Sequence, residues 1–258
     1  EHNAVGKALQ RIVDRLGAKI AETVDLNALI QLAQTAPPIA RPTQAPYPTF
    51  QGVSVAVAQD RAFCFAYPDA LALLEQMGAR LLPFSPLSDK RLPEEAQGLL
   101  LPGGYPELYA ARLAANVPMR QSLLDALQRG LPCIAECGGF MVLHDTLEDP
   151  DGVPHPMVGF LHARAYKTPR LQRFGYVRLT ALRDTLLLPK GASIPAHEFH
   201  HWDSDQPGDA LEARKPLRQT QWRCGICTDT LFAGFPHVHL CANPDSAARF
   251  LARCQTFH

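Results

Sequence analysis

The residues best placed to do chemistry form one short run, Ile134-Ala135-Glu136-Cys137-Gly138-Gly139-Phe140-Met141, in which an apolar strand meets a glycine pair and then a helical stretch. A thiol at such a junction sits on a tight strand-to-helix turn and faces free N–H groups at the helix start. There the helix dipole favours the thiolate, which is the nucleophilic form. The bland reading of a free cysteine is a small buried hydrophobe. It suits Cys64, Cys133 and Cys254, and suits Cys137 less well because two glycines follow it.

Two further groups have the right chemistry to serve such a thiol. Leu100-Leu101-Pro102-Gly103-Gly104-Tyr105-Pro106-Glu107 also ends an apolar strand in a glycine pair. Glycine lets backbone approach a ligand and aim N–H groups at a developing oxyanion, although most such turns are only turns. His237-Val238-His239 closes a strand-like run, Leu231 to Leu240, and a spacing of two on a strand puts both imidazoles on one face. A base beside an orienting group would use that arrangement, and so would two metal ligands.

Two patterns imitate metal sites. His197-Glu198-Phe199-His200-His201 matches H-E-x-x-H, but that motif needs a helix, and Pro195 precedes it without any helical apolar period around it. Cys224-Gly225-Ile226-Cys227 lacks a second C-x-x-C, and residues three apart on a strand face opposite ways. The expectation is therefore no metal. The sequence also contains no G-x-x-x-x-G-K-[ST] phosphate loop.

The chain that must position these groups has 258 residues, 47% of them hydrophobic, which is enough to bury a sizeable core. Its 25 basic and 25 acidic side chains cancel. No global field then draws it to nucleic acid or an anionic membrane. No apolar window approaches the roughly 18 to 20 residues that span a bilayer, and the start has no signal-peptide pattern. Seven scattered cysteines, an odd number, fit a reducing compartment, so the expected location is cytoplasmic. The first residue is Glu1 rather than Met, which suggests a piece of something longer.

Residues 5 to 33 read as helix through Val5, Leu9, Ile12, Val13, Leu16, Ile20 and Val24, with Asp25 capping a second short helix. These helices need a partner surface. Pro37, Pro38, Pro42, Pro46 and Pro48 then form a semi-rigid linker, which predicts a boundary between residues 1–49 and 50–258. Beyond it, Val53, Val55 and Val57 alternate as a strand, followed by a helix over Leu71 to Met77 that Gly78 stops. Short apolar runs at Ala79 to Phe84, Gly98 to Leu101 and Pro132 to Ala135 alternate with a helix at Met119 to Leu127 that Gly130 stops. This is the pattern of an α/β fold, a mainly parallel sheet with helices on both faces. From 150 onward the pattern is strand-rich and irregular until a helix at Pro244 to Cys254.

Taken together, the motifs resemble the cobyrinic acid a,c-diamide synthases of cobalamin biosynthesis, specifically their C-terminal type 1 glutamine amidotransferase domain. The resemblance runs over Val55-Ala56-Val57-Ala58-Gln59-Asp60, Phe84-Ser85-Pro86-Leu87-Ser88-Asp89, Gly103-Gly104-Tyr105-Pro106-Glu107-Leu108 and Ala135-Glu136-Cys137-Gly138-Gly139. It continues through Phe174-Gly175-Tyr176, His197-Glu198-Phe199-His200 and His237-Val238-His239. It implies a flavodoxin-like fold and glutamine hydrolysis, with Cys137 as nucleophile, His237 as base, and the backbone at Gly103, Gly104 and Gly138 as oxyanion donors. His197 and Glu198 fall in the substrate-binding set. In related amidotransferases a Glu follows two residues after the His; here that position is His239, which leaves open which imidazole is the base.

The front helices resemble the tail of the family's ATP-binding synthetase domain, so ATP and Mg²⁺ are expected upstream and no cofactor in this chain. The implied partners are glutamine and a corrinoid acceptor, cobyrinate or hydrogenobyrinate, with a homodimer left open. The alternatives are the matching domain of a cobyric acid synthase or related amidoligase, and a non-catalytic amidotransferase-like binding module.

Overall fold

A computed structural model describes residues 2–39 and 46–257 of the chain, which separates into two compact units, 1–46 and 47–258. The first unit carries α1 (His2–Thr23) and α2 (Leu26–Gln34). Asp25 divides them as expected: its carboxylate accepts the Ala28 N–H at 2.9 Å and caps α2. Leu9, Ile12, Val13, Leu16 and Ile20 recur at helical spacing on α1 and are all exposed, and α2 has no buried residue. The centre of the proline stretch, 40–45, lies outside the described residues. Tyr47 and Phe50, which follow it, pack against the core of the second unit.

That unit is built on β1 (Ser54–Ala58), β2 (Arg80–Phe84), β3 (Gly98–Leu101) and β4 (Cys133–Glu136). Later strands β13 (Ile226–Cys227) and β14 (Leu231–Gly234) complete a sheet ordered β13-β14-β4-β3-β1-β2, parallel except for its β13 edge. Strand side chains alternate between faces, so β1 sends Val55 and Val57 into one core and Ala56 and Ala58 into another. In the same way β3 and β4 send Leu100 and Ile134 one way, and Leu99, Leu101, Cys133 and Ala135 the other.

Helices α3 (Pro68–Gln76) and α7 (Pro244–Gln255) supply the first core through Leu73, Leu74, Phe250 and Leu251. Helices α4 (Ala110–Ala115), α5 (Val117–Gln128) and α6 (Gly138–Val142) supply the second through Leu113, Leu123 and Phe140. Burial of both faces is why the strands read as continuous apolar runs. The expected flavodoxin-like layering is what the chain adopts. Cys133 and Cys254 are buried as anticipated, whereas Cys64 is exposed in the loop after β1.

The strand-rich second half resolves into two additional sheets. β5 (His144–Glu148), β6 (Pro154–Pro156), β7 (Leu161–Lys167) and β10 (Trp202–Ser204) form one, ordered β10-β7-β5-β6. β8 (Arg173–Ala181), β9 (Ser193–His200), β11 (Leu211–Arg214), β12 (Gln221–Cys224) and β15 (His237–Val238) form an antiparallel sheet ordered β12-β11-β8-β9-β15.

The single strand expected over Leu231 to Leu240 is instead two, because Pro236 has no N–H to continue a ladder. β14 ends in the parallel sheet at Gly234, and β15 begins three residues later, at His237, on the edge of the antiparallel one. No helix among the described residues is long and apolar enough to cross a membrane.

Candidate active site

Cys137 occupies the turn between β4 and α6 with φ 48° and ψ −100°. Among the described residues it is the one non-glycine with positive φ. Such a conformation costs of order 1–3 kcal/mol and persists only where neighbours enforce it. Here they do: the Cys137 N–H donates to Gly234 O at 2.8 Å, and its carbonyl accepts the Met141 N–H at 3.0 Å. The geometry lifts the thiol out at the carboxyl rim of the parallel sheet, 8% exposed. Since α6 has only five residues, its macrodipole is small, and the charge available to stabilise a thiolate comes from elsewhere.

Two glycine loops close around this turn. A Cβ placed on Gly138 would lie 2.9 Å from Pro106 Cδ and 3.0 Å from Gly104 N, and one on Gly139 would collide with the Leu101 carbonyl. The Gly103-Gly104 loop therefore lies directly against the start of α6. It is anchored from the other side, where Phe65 N–H donates to Gly103 O and Tyr105 N–H to Ala62 O, both at 3.0 Å. Asp60 braces that loop by accepting from Ala62 N–H at 2.8 Å and Leu87 N–H at 3.0 Å. Neither Gly104 N–H nor Gly138 N–H has an acceptor among the described residues, so the two adjacent donors remain available.

The charge near the thiol is His237, 7% exposed on β15, whose ring packs against Gly103 and 5.9 Å from the ring of Phe65. Burial disfavours the imidazolium, but interaction with Cys137 and with the Glu136 carboxylate outweighs it and raises the His237 pKa to about 10. Glu136 Oε2 lies 3.7 Å from Nδ1, too far for a hydrogen bond, so the carboxylate acts through its charge. Its other oxygen accepts the Val238 N–H at 2.9 Å, pinning β15 to the end of β4. Spacing alone assigns Glu136 no role. The available signal was a carboxylate at the end of a fully buried strand, next to a nucleophile.

His239 does not share the face of His237. The strand stops at Val238, and His239 opens a 3₁₀ turn, Leu240–Ala242. Its Nε2 pairs with Asp69 Oδ2 at 3.0 Å and its ring meets the edge of Tyr67 at 4.9 Å. Asp69, His239 and Cys241 are the group of three potential metal ligands found among the described residues, with ligand atoms within 4.8 Å of one another. In the structure the His–Asp ion pair already occupies two of them.

His197–His200 of the H-E-x-x-H string lie on β9, not on a helix, and His201 follows in the bend before β10, so extended backbone holds the first and last His roughly 13 Å apart. His197 pairs in register with His237 across the β9–β15 edge and faces Tyr176 and Phe174, at 5.4 and 6.1 Å between rings. Its pKa is lowered by burial and by the nearby charges of His237 and Lys215.

Glu198, expected in the substrate-binding set, is buried, with Oε1 unpartnered among the described residues. As the next strand residue it turns inward, is 1% exposed, and pairs with His200 Nε2 at 3.1 Å. His200 stacks flat on Phe235 at 3.9 Å, and Phe235 meets the edge of Phe140 in α6 at 5.2 Å. Glu198 thus belongs to a buried support beneath the nucleophile turn. Cys224 and Cys227 are also core residues, their thiol pKa values raised mainly by burial.

Comparison with known proteins places this geometry among relatives. The chain is 36% identical over 251 residues to the cobyrinate a,c-diamide synthase of Caldanaerobacter subterraneus subsp. tengcongensis, covering 96% of this chain and 55% of that protein. It is 39% identical over 241 residues to the cobyrinate a,c-diamide synthase of Salmonella typhimurium, covering 91% and 52%. The chain therefore spans about half the length of these relatives. Among solved structures, PurLQS from Thermotoga maritima superposes with a TM-score of 0.51 at 17% identity, over 78% of this chain and 97% of that one, which shows the shared fold. Residues 54–244, the span that holds Cys137, His237 and both glycine loops, match the family directly, and the chain belongs to the CobB/CobQ-like glutamine amidotransferase domain family.

Proposed function

We propose that this chain hydrolyses glutamine through a Cys137 thioester and supplies the ammonia for ATP-dependent amidation of the a and c carboxylates of cobyrinate or hydrogenobyrinate. The observation that carries the reading is the strained Cys137 turn, with the His237 ring and two unoccupied backbone donors converging on it. The Cys137 sulfur attacks the side-chain amide carbon, and the carbonyl electron pair moves to oxygen. The adjacent Gly104 and Gly138 N–H groups receive that oxyanion. The tetrahedral species collapses as the His237 imidazolium gives its proton to the departing nitrogen, releasing ammonia and leaving a glutamyl thioester. Neutral His237 then takes a proton from water, the hydroxide oxygen attacks the thioester, and glutamate leaves as the thiolate returns.

The acceptor half of the reaction is assigned to a larger protein. The relatives are about twice as long, and the exposed apolar row of α1 needs a surface to cover it. We read residues 1–49 as the tail of an upstream ATP-binding synthetase domain that would hold ATP and Mg²⁺. This chain contains no G-x-x-x-x-G-K-[ST] phosphate loop, and in this reading the nucleotide is held upstream of it. Seven free cysteines suit the reducing cytoplasm.

The test is to incubate the full chain with glutamine, measure glutamate and ammonia, and label with 6-diazo-5-oxo-norleucine followed by peptide mass mapping. Equimolar glutamate and ammonia, with a single adduct on Cys137, are expected. No turnover together with no adduct at Cys137 would favour the non-catalytic binding module.

A further inference from the structure

We propose that Glu136, the residue immediately before the nucleophile, is the positioning carboxylate of the Cys137–His237 pair, holding the imidazole through Nδ1 so that Nε2 is presented to the thiol. The activity arm of this proposal rests on the glutaminase reading above; its thiol-reactivity arm does not.

Glu136 is 8% exposed at the end of a strand whose every residue is buried. A carboxylate desolvated to that degree costs several kcal/mol unless it is paired. Oε1 has its partner in the Val238 N–H at 2.9 Å. For Oε2 the facing group is His237 Nδ1 at 3.7 Å.

Nδ1 of His237 is buried and has no hydrogen-bond partner among the described residues. A buried ring N–H without an acceptor costs about 1–3 kcal/mol, and a shift of about 1 Å by the Glu136 side chain removes that cost. Val238, whose N–H holds Oε1, belongs to the same strand as His237. One carboxylate then fixes both the backbone and the ring of the base.

The position two residues after the base is His239, which is committed to Asp69 and Tyr67 and has left the strand. Glu198, another buried carboxylate, pairs with His200 through Oε2 and keeps Oε1 without a hydrogen-bond partner among the described residues, but it leaves β9 on the face opposite to His197, the residue in register with His237. Strand parity explains why Glu136 is available. It leaves β4 on the same face as Ile134, toward Tyr67 and Val238, and reaches the base from the sheet beneath it.

The charges that set the behaviour of His237 are Cys137 and Glu136 from the β4 turn and His197 from β9. Lys215 acts on His197, and Tyr67 feels Glu136 together with Tyr176 and Asp69. Tyr67 supports the same geometry, its phenol pKa being raised first by burial and then by the Glu136 charge. In catalysis Glu136 orients the ring and transfers no proton. Its charge favours the imidazolium, so removing it lowers the pH at which His237 loses its proton.

The experiment compares Glu136→Gln, which keeps an acceptor for the Val238 N–H, with Glu136→Ala, which removes both acceptor and charge. Three quantities are read: the rate of Cys137 alkylation by iodoacetamide against pH, resolved by peptide mass mapping; kcat and KM for glutamine against pH; and the thermal midpoint. For Glu136→Gln the alkaline limb of both pH profiles should move down by ~1 pH unit or more, and kcat should fall roughly 10²-fold with KM little changed. The midpoint should hold in the Gln variant and drop in the Ala variant. Unmoved limbs in Glu136→Gln overturn the proposal, whether kcat is preserved or falls together with the midpoint, since the residue is then only structural. If wild-type chain fails to hydrolyse glutamine, the glutaminase reading fails, while the alkylation profile still decides the role of Glu136.

Discussion

Replacing Gly103 with Ala adds one methyl group at the most crowded point of the site. Gly103 does not have positive φ, so alanine meets no backbone penalty and the effect is purely steric. The added Cβ would fall 3.3 Å from His237 Nδ1 and 3.4 Å from Nε2, and well inside the contact shell of Cε1 between them. Restoring an ordinary carbon–carbon contact of ~3.5 Å requires the ring to retreat by about 1 Å. His237 is buried and has Phe65 as a ring neighbour, so the displacement is forced upon the contacts with Cys137 and Glu136.

Overpacking of this kind costs about 1–3 kcal/mol of stability, which a folded domain of this size survives. A displacement of about 1 Å in a reacting group costs roughly 10² in rate. Steady-state glutamate release should show kcat/KM down by about that factor, while circular dichroism shows a native spectrum. Gly139→Ala is the contrasting control: its Cβ would strike the Leu101 backbone carbonyl, which cannot swing aside, so loss of folding is expected there. Glutamine hydrolysis by Gly103→Ala within about threefold of wild type would refute the placement of His237 at the reacting centre.

Cys137→Ser should leave the fold intact and reduce glutamate release to background, because a hydroxyl lacks an accessible anion; most of the rate surviving would remove Cys137 as nucleophile. His237→Ala should cost ~10² to 10⁴ in kcat/KM, and His239→Ala far less since its ring is engaged with Asp69; the reverse ranking, read from the same assay, would exchange their roles. His144 supplies a stability test away from the site. Its ring is fully buried, Nδ1–H donating to Phe140 O at 2.9 Å and Nε2 accepting from Ser204 Oγ at 2.7 Å, and burial lowers its pKa from 6.5 to about 4. Because the unfolded chain binds the extra proton, stability should be whole above pH ~6.5 and fall by up to about 3 kcal/mol as pH drops toward 4. Melting curves of wild type and His144→Gln across that range check it, and an equal acid loss in both would acquit His144.

Local pattern alone was sufficient for much of this protein. The capped helix pair, the strand–helix alternation from Val53 to Ala135, the glycine stops and the final helix were all legible, because each depends on periodicity or turn chemistry within a few residues. The junction at Cys137 was legible for the same reason: a buried strand, a thiol and two glycines lie side by side in the chain.

What the sequence left undecided needed contacts between distant segments. Whether His237 and His239 face one way depends on where a strand ends, and Pro236 moves that strand into a different sheet. Whether Glu198 faces substrate or core depends on which side of β9 is covered, and the covering residues lie far away along the chain. Glu136 is the clearest case. Its neighbour in sequence is the nucleophile, but its partners, Val238 and His237, lie about a hundred residues on and reach it only because β14 pairs beside β4 and the chain turns back at Pro236. Periodicity reports the face on which a side chain leaves its own strand, and the fold alone sets what stands opposite it.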